Sequence, residues 1–233
     1  MLAAQQGLDE TTFRRDAERS RQTIIDAAER LFADLGFEAV SMERIGRAAG
    51  LSRGAPGYFF GSKVALYRVV LQRMFEATEL MVAETNRQLA SVPEGDLDGA
   101  LEVVVENLLE FLYERPTFLT LVQREALRRS GVMEGTRAHL TLLRTTLTIA
   151  EKLDWTSAAT NPQQLLLTLL SVCWFPLANP PLIRDLGGQF DRSFVEARKR
   201  HVVALLKAGL RNGRPLPPRG GGGPATDRRG GRC

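Results

Sequence analysis

The sequence has little of what metal, redox and disulfide chemistry require. Its 233 residues include two cysteines and two histidines. Cys173 lies in an apolar run and Cys233 is the last residue, so the pair gives neither a disulfide framework nor a metal-binding spacing. The sequence has no HExxH, CxxC or His-carboxylate cluster. We therefore predict no metal site, no cofactor and no redox function.

Signals for membrane insertion, secretion and catalysis are also lacking. The apolar stretch at residues 165–178 is shorter than the roughly 20 residues of a spanning helix, and Pro176 interrupts it. The first 20 residues carry acids where a secretory signal needs a basic and then an apolar stretch. No nucleophile–base pair, paired catalytic carboxylates or phosphate-cradling loop is recognisable. We predict a cytoplasmic protein that is neither an enzyme nor membrane-inserted.

Charge is unevenly distributed along the chain. Residues 1–75 carry 11 Lys or Arg against 9 acids, residues 76–206 carry 13 against 17, and residues 207–233 carry 7 against 1. The mildly basic N-terminal part permits a polyanion partner, although an ordinary solvated surface explains that charge equally well. The basic end leaves two roles open, binding at a membrane surface or adding nonspecific DNA affinity.

Apolar residues recur with helical spacing, without the alternation that indicates strands, so we predict an all-α protein of about nine helices. Residues 1–18 should form a flexible arm, residues 19–62 a three-helix domain, residues 63–211 a bundle of longer helices, and residues 212–233 a disordered tail rich in Gly, Pro and Arg. Outside the three-helix domain, helices are predicted at residues 63–89, 97–113, 116–129, 133–153, from 161 onward, and 190–211.

The stretch GRAAGLSRGAPGYFF, residues 46–60, indicates a helix-turn-helix. Ser41 is placed to cap the second helix of the domain, and Gly50 to end it in the left-handed conformation that costs glycine little. Ser52 is then expected to cap the third helix. In this arrangement the third helix enters the DNA major groove through its N-terminal residues.

The composition of the third helix fits contact with DNA. Gly54, Ala55 and Gly57 would let the backbone approach the groove, at about 1 kcal/mol of helix propensity for each Gly. Arg53 can reach guanine, the Ala55 methyl can meet a thymine methyl, and the Tyr58 hydroxyl can bind a phosphate. A surface loop is the alternative for a Gly-Pro cluster. This cluster lies between a complete helix-turn unit and the next capped helix, and that place favours contact with the DNA groove over a surface loop.

Ser62 and Lys63 begin the long fourth helix. Free amide groups and the positive end of the helix dipole make such a start a natural phosphate site, with the Lys63 charge alongside. These contacts would position the protein, whereas Arg53 and its small neighbours would specify the sequence.

Residues 20–66, in particular the stretches TIIDAAERLFADLGFEAV and SMERIGRAAGLSRGAPGYFF, resemble the DNA-binding domain of the TetR family of bacterial transcriptional regulators. The resemblance implies that Ser41, Arg53, Ala55, Tyr58 and Lys63 lie at or beside DNA-contacting positions. Many relatives carry an aromatic residue inside the recognition helix where this sequence has Gly57. The phosphate contact of that aromatic would then either come from the neighbouring Tyr58 or be missing.

The resemblance also implies a small-molecule effector bound among the middle helices. Because few polar groups are available there, an apolar or aromatic effector is preferred. Core packing is the alternative role for each candidate, since aromatic residues at helical spacing usually belong to a core. The candidate lining residues are Phe111, Phe118, Leu121, Met133, His139, Trp155 and Trp174.

The last two predicted helices carry more apolar surface than one bundle face requires, which predicts a homodimer. The proposed interface consists of Leu166, Leu169, Leu170, Cys173, Phe194, Val202 and Leu205. A two-fold pair would present two recognition helices about 34 Å apart, one DNA turn. We predict a homodimeric repressor of a palindromic operator in double-stranded DNA, released by an effector. The alternative is a ligand-independent DNA-binding factor or activator whose second domain only dimerises or recruits partners.

Overall fold

The computed structural model describes residues 2–128 and 162–211, and within these residues all regular structure is helical, as predicted. The predicted helix at residues 133–153 and the predicted tail lie outside them. The helices of the described part are α1 Leu2–Ala39, α2 Met42–Ala48, α3 Ala55–Phe60, α4 Lys63–Leu89, α5 Leu97–Glu114, α6 Pro116–Arg128, α7 Pro162–Ala178, α8 Pro180–Asp185 and α9 Arg192–Arg211.

Local signals identified several helix ends correctly. The Ser41 hydroxyl accepts a hydrogen bond from the Arg44 amide at 3.2 Å, and Ser62 caps α4 in the same way. Gly36 and Gly50 both have positive φ, 80° and 69°, and α1 breaks at the first of them. The position of Gly50 matches the predicted end of the second helix.

The helices differ from the expected pattern in three places. The arm predicted as flexible is helical, because residues 2–18 contain no proline and many good helix formers. Ser52 does not cap α3, whose N-cap is Gly54. Helix α8 was not predicted; it begins where Asn179 is followed by two prolines that suit the first turn of a helix.

The core of the N-terminal domain includes part of α4. Ile24, Ala28 and Phe32 of α1 are fully buried, and so is Leu66 of α4. The Phe32 and Tyr67 rings meet edge to face, with their centroids 5.0 Å apart. The start of α4 therefore packs as a member of the N-terminal domain, while the rest of the helix continues into the bundle.

Helix α5 forms the centre of the bundle and contacts α4, α6, α7 and α9. Its buried face includes Leu101, Val105, Leu109 and Leu112. Ion pairs between α5 and α9, such as Glu106–Lys199 at 2.8 Å, line the edge of their contact. Because exposed pairs contribute only about 0–1 kcal/mol each, apolar packing holds the bundle together.

Candidate functional site

Backbone hydrogen bonds hold the turn between α2 and α3. The Leu51 amide donates to the Gly46 carbonyl at 2.9 Å, and the Ala55 amide donates to the Ser52 carbonyl at 3.1 Å. Together with the positive φ of Gly50, these bonds reverse the chain within a few residues. The two helices form the predicted helix-turn-helix.

Gly46 allows the close approach of α2 to the turn, a role that the sequence reasoning missed. A Cβ at this position would lie 2.6 Å from the Ser52 carbonyl oxygen and 3.2 Å from Cδ of Pro56. The signal was a glycine inside a short capped helix, where helix propensity disfavours it. Pro56 is the buried residue of α3, so this contact fixes how α3 sits on the domain.

The start of α3 and the turn residues just before it present most of the predicted base-reading residues. Arg53 and Gly54 are exposed, Tyr58 is 83% exposed, and Ala55 and Gly57 are half-buried. A Cβ added at Gly54 or Gly57 would meet nothing within 4 Å. Neither glycine has a positive φ. Neither packing nor backbone conformation inside this chain therefore requires glycine at these two positions.

The structure gives Lys63 an interaction other than the predicted one. Its ammonium group donates to the carbonyls of Phe37 and Val40, each at 2.9 Å, and lies 4.3 Å from the centroid of the Phe37 ring. A cation is favourable at the C-terminal end of a helix, where carbonyls lack partners. Lys63 thus caps the end of α1. Its contact with a DNA phosphate stays a prediction.

Helix α6 also binds the end of α1. The Arg124 guanidinium donates to the carbonyls of Ala33 and Asp34 at 2.8 and 2.9 Å. Arg128 pairs with Glu38 at 2.9 Å, and its guanidinium carbon lies 4.0 Å from the centroid of the Phe37 ring. These contacts join residues about 90 positions apart in the chain, and the sequence reasoning did not find them.

A buried polar pair joins α6 to α4. The Tyr67 hydroxyl donates to the Glu125 carboxylate at 2.8 Å, and Glu125 is only 3% exposed. Burial, followed by the bond to Glu125, raises the pKa of Tyr67, so the hydroxyl keeps its proton. A buried carboxylate is costly to leave without its donor. The pair therefore favours one relative position of α6 and α4.

A further polar cluster joins α1, α4 and α6. Thr117 of α6 donates to Glu29 of α1 at 2.6 Å. Arg73 of α4 binds both Glu29 and Asp26. Glu29 thus accepts from α4 and α6 together. With the Arg124 and Glu125 contacts, this cluster places α6 in direct polar contact with the helices that carry the DNA-binding domain.

The bundle encloses a cavity among α4, α5, α6 and α7. The interior that a water-sized molecule can enter is about 100 Å³, which is smaller than most small-molecule pockets, about 300–1,000 Å³. Of the predicted lining residues, Phe111, Phe118 and Trp174 lie on its wall, and the Phe118 and Trp174 rings meet at 5.8 Å. Leu121 is buried in the core and is not among the residues that line the wall.

The other predicted lining residues, Met133, His139 and Trp155, lie outside the described residues.

The described wall of the cavity is almost entirely apolar. Its hydroxyl groups belong to Thr78 and Thr85, which donate to the carbonyls of Met74 and Met81 at 2.9 and 2.8 Å. Their hydrogens are used within α4, so toward the cavity they can only accept. No charged side chain lines the described part of the wall.

Most of the predicted dimer interface is wrong. Leu166, Leu169, Cys173 and Val202 are buried within the chain itself and are not available to a partner. The apolar surplus of their helices is used against α5 and the cavity. Of the rest, Leu170 and Phe194 are half-buried, and Leu205 is 50% exposed.

The exposed apolar side chains of α7 include residues that the prediction did not name. Leu167 is 55% exposed and Phe175 is 58% exposed. Helical spacing puts Phe175 on one stripe with Ser171 and Thr168, and this stripe faces away from the buried side of α7. Leu205 of α9 is half exposed as well, and we take it together with this stripe as the candidate pairing face.

Within residues 2–128 and 162–211, no group of three His, Cys, Asp or Glu side chains is arranged to hold a metal ion. None of the described helices combines the length and apolar character needed to cross a membrane.

Solved structures share this architecture. A TetR-like transcriptional regulator from Rhodococcus sp. RHA1 superposes with a TM-score of 0.61 at 20% identity, over 83% of this chain and 97% of that chain. HlyIIR, a hemolysin II transcriptional regulator, superposes with a TM-score of 0.57 at 18% identity, over 79% of this chain and 97% of the other. The chain therefore has the fold of TetR-like regulators.

Sequence similarity to a known family is found in the N-terminal part of the chain. Residues 24–70 match the family described as bacterial regulatory proteins, tetR family. This match lies in the N-terminal part of the chain and confirms the resemblance seen in its sequence. Its relatives bear the names of transcription regulators.

Three relatives match between about a third and a half of the chain. The repressor NicS of Pseudomonas putida is 28% identical over 113 residues, 48% of this chain and 51% of NicS. The regulator AcrR of Shigella flexneri is 30% identical over 97 residues, 42% of this chain and 43% of AcrR. The repressor AcnR of Corynebacterium glutamicum is 39% identical over 80 residues, 32% of this chain and 43% of AcnR. The chain spans about half the length of these relatives, or less.

Proposed function

We propose that the protein is a sequence-specific DNA-binding transcription regulator of the cytoplasm, and that α3 reads the major groove. The observation that carries this proposal is the open face of α3. Arg53 and Tyr58 are exposed there, and Gly54 and Gly57 leave space that the protein itself does not use. Small residues at this place let a helix backbone approach base edges, while Arg53 supplies the donor that guanine accepts.

The regulator would act as a homodimer on a palindromic operator. Pairing through the face formed by Phe175, Ser171 and Leu205 covers apolar side chains that are half exposed in a single chain. A two-fold axis through this face presents α3 twice. Half-sites about one helical turn of DNA apart, or somewhat more, then match the protein symmetry.

The effector would be an uncharged, apolar or aromatic small molecule in the cavity. The aromatic rings of Phe111, Phe118 and Trp174 supply the contact area. A charged group would meet no counter-charge on the described wall, and burying it would be costly. A polar group on the ligand would best be a donor, because the two Thr hydroxyls can only accept.

Effector binding would weaken operator binding through α6 and α4. Phe118 lines the cavity, and its neighbour Thr117 binds Glu29 of α1. A ligand that displaces Phe118 thus acts on contacts that hold the DNA-binding domain, and α3 would leave its operator spacing. The ligand must bind the released state more tightly, and each tenfold preference corresponds to about 1.4 kcal/mol.

Selection of bound sequences from a random pool of DNA duplexes tests the proposal. The expected result is a two-fold symmetric motif. Recovery of random sequences alone would contradict sequence-specific reading, and recovery of a single half-site would contradict the dimer. A chain that selects a palindrome, but that no apolar compound releases, would instead be the ligand-independent factor.

A further inference from the structure

Helix α7 contains a proline that removes one of its own hydrogen bonds. Pro176 lies inside the helix, and it has no N–H to donate to the carbonyl of Val172 one turn earlier. Val172 is half-buried and packs on the core. A carbonyl at such a place is costly to leave without a donor.

A side chain from α9 supplies the missing donor. The Arg198 guanidinium donates to the Val172 carbonyl through Nε at 3.1 Å and through Nη2 at 2.6 Å. A charged donor that makes two bonds to one acceptor is among the stronger hydrogen-bonding arrangements. Farther along, the Asn179 side chain donates to the Phe175 carbonyl at 2.7 Å, so side chains complete the C-terminal part of α7.

The same stretch of α7 forms a wall of the cavity. Trp174, two residues after Val172, lies against the cavity and touches Phe118. Leu170, two residues before it, also lines the cavity. We propose that Arg198 is a positioning residue of the cavity: it replaces the hydrogen bond that Pro176 removes and so holds the wall that carries Trp174. The part of this proposal that concerns ligand affinity rests on the proposed function.

Cys173 reports on this wall without any ligand. Its thiol is fully buried between Val172 and Trp174 in the chain, so a thiol reagent reaches it only when α7 opens. Burial raises its pKa to about 12, and Arg198 opposes this rise. Loss of Arg198 would therefore raise the pKa of Cys173 further and make its thiol less reactive as long as α7 stays closed. Faster labelling after that loss must come from opening.

The experiment is a double-mutant cycle in the full chain carrying Cys233→Ser, with a neutral pyridyl disulfide as reagent. Arg198→Met keeps the side-chain stem and removes the donors, and we expect Cys173 labelling about tenfold faster, the equivalent of about 1.4 kcal/mol. Pro176→Ala restores a backbone N–H to Val172, so Arg198→Met in that background should change labelling less than about twofold. Arg198→Lys, which retains a donor, should recover most of the protection.

If Arg198→Met accelerates Cys173 labelling equally in both backgrounds, or in neither, the positioning role of Arg198 is overturned. If Pro176→Ala does not fold, the comparison of Arg198→Lys with Arg198→Met decides, and identical labelling of the two overturns it.

The ligand part is measured with N-phenylnaphthylamine, a neutral aromatic fluorophore. We expect wild type to bind it and Arg198→Met to bind about tenfold more weakly, as the binding-competent wall becomes less populated. Unchanged affinity in a variant with faster labelling overturns the positioning role. No binding to wild type overturns the cavity function instead, while the labelling cycle still decides whether Arg198 holds α7.

Discussion

Replacing Gly57 by Ala should stabilise the protein and weaken its binding to operator. A Cβ at Gly57 meets no atom within 4 Å, so the substitution adds no clash. Alanine is favoured over glycine inside a helix by about 0.5–1 kcal/mol. For a chain of this size, 1 kcal/mol corresponds to about 2–4 °C in Tm. We expect Tm to rise by about 1–4 °C, measured by differential scanning calorimetry.

The effect on DNA has the opposite sign. An added methyl group on the surface of α3 keeps the helix away from the base edges, and a good base contact contributes about 1–3 kcal/mol of discrimination. Operator affinity should therefore fall about 5- to 150-fold. Affinity for random DNA, which depends on phosphate contacts, should change little. Fluorescence anisotropy with both duplexes measures the difference.

Gly46→Ala provides the contrasting variant. Its Cβ would lie 2.6 Å from the Ser52 carbonyl oxygen, and overpacking of this kind costs about 1–3 kcal/mol. We expect a lower Tm together with weaker operator binding. Close approach of α3 to the bases at Gly57 is refuted if Gly57→Ala binds operator as wild type does. It is also refuted if Gly57→Ala lowers Tm, as Gly46→Ala is expected to.

Three further substitutions separate the other roles. Arg53→Ala should lose about 1–3 kcal/mol on operator and far less on random duplex, by anisotropy, and equal losses would contradict base reading. Lys63→Met removes the donors to the end of α1, so the free energy of unfolding in urea should fall by about 1–3 kcal/mol. An unchanged free energy with a salt slope smaller by about one would assign the ammonium to a DNA phosphate instead. Phe175→Glu should give monomers in sedimentation equilibrium, whereas Leu80→Glu, an exposed site on α4, should not; a Phe175→Glu dimer would rule out the proposed pairing face.

The parts of the fold that follow from neighbouring residues were predictable. Ser41 and Ser62 cap helices because a hydroxyl and an amide three residues later are close in any helix start. Gly50 ends α2 because glycine adopts its positive φ readily. The Asn179-Pro180-Pro181 signal of α8 was equally local, and the reasoning overlooked it.

Contacts between distant residues were not predictable in the same way. Lys63 begins a helix, and a helix start favours anions, but the position of Phe37 and Val40 next to its ammonium depends on the packing of α1 on α4. Helix α7 is apolar on most sides, so its sequence could not say that Leu166 faces the cavity and Phe175 faces solvent. That choice follows from where α5 and α9 lie.

Because α4 and α6 pack against α1, residues 19–62 share their core and one helix end with residues that follow them in the chain. A fragment ending at Ser62 would lose Leu66 and Tyr67 from beneath Phe32, together with the Arg124 cap on the end of α1. Grafting the recognition element onto another scaffold would therefore have to include the first half of α4 and a substitute for the α6 contacts.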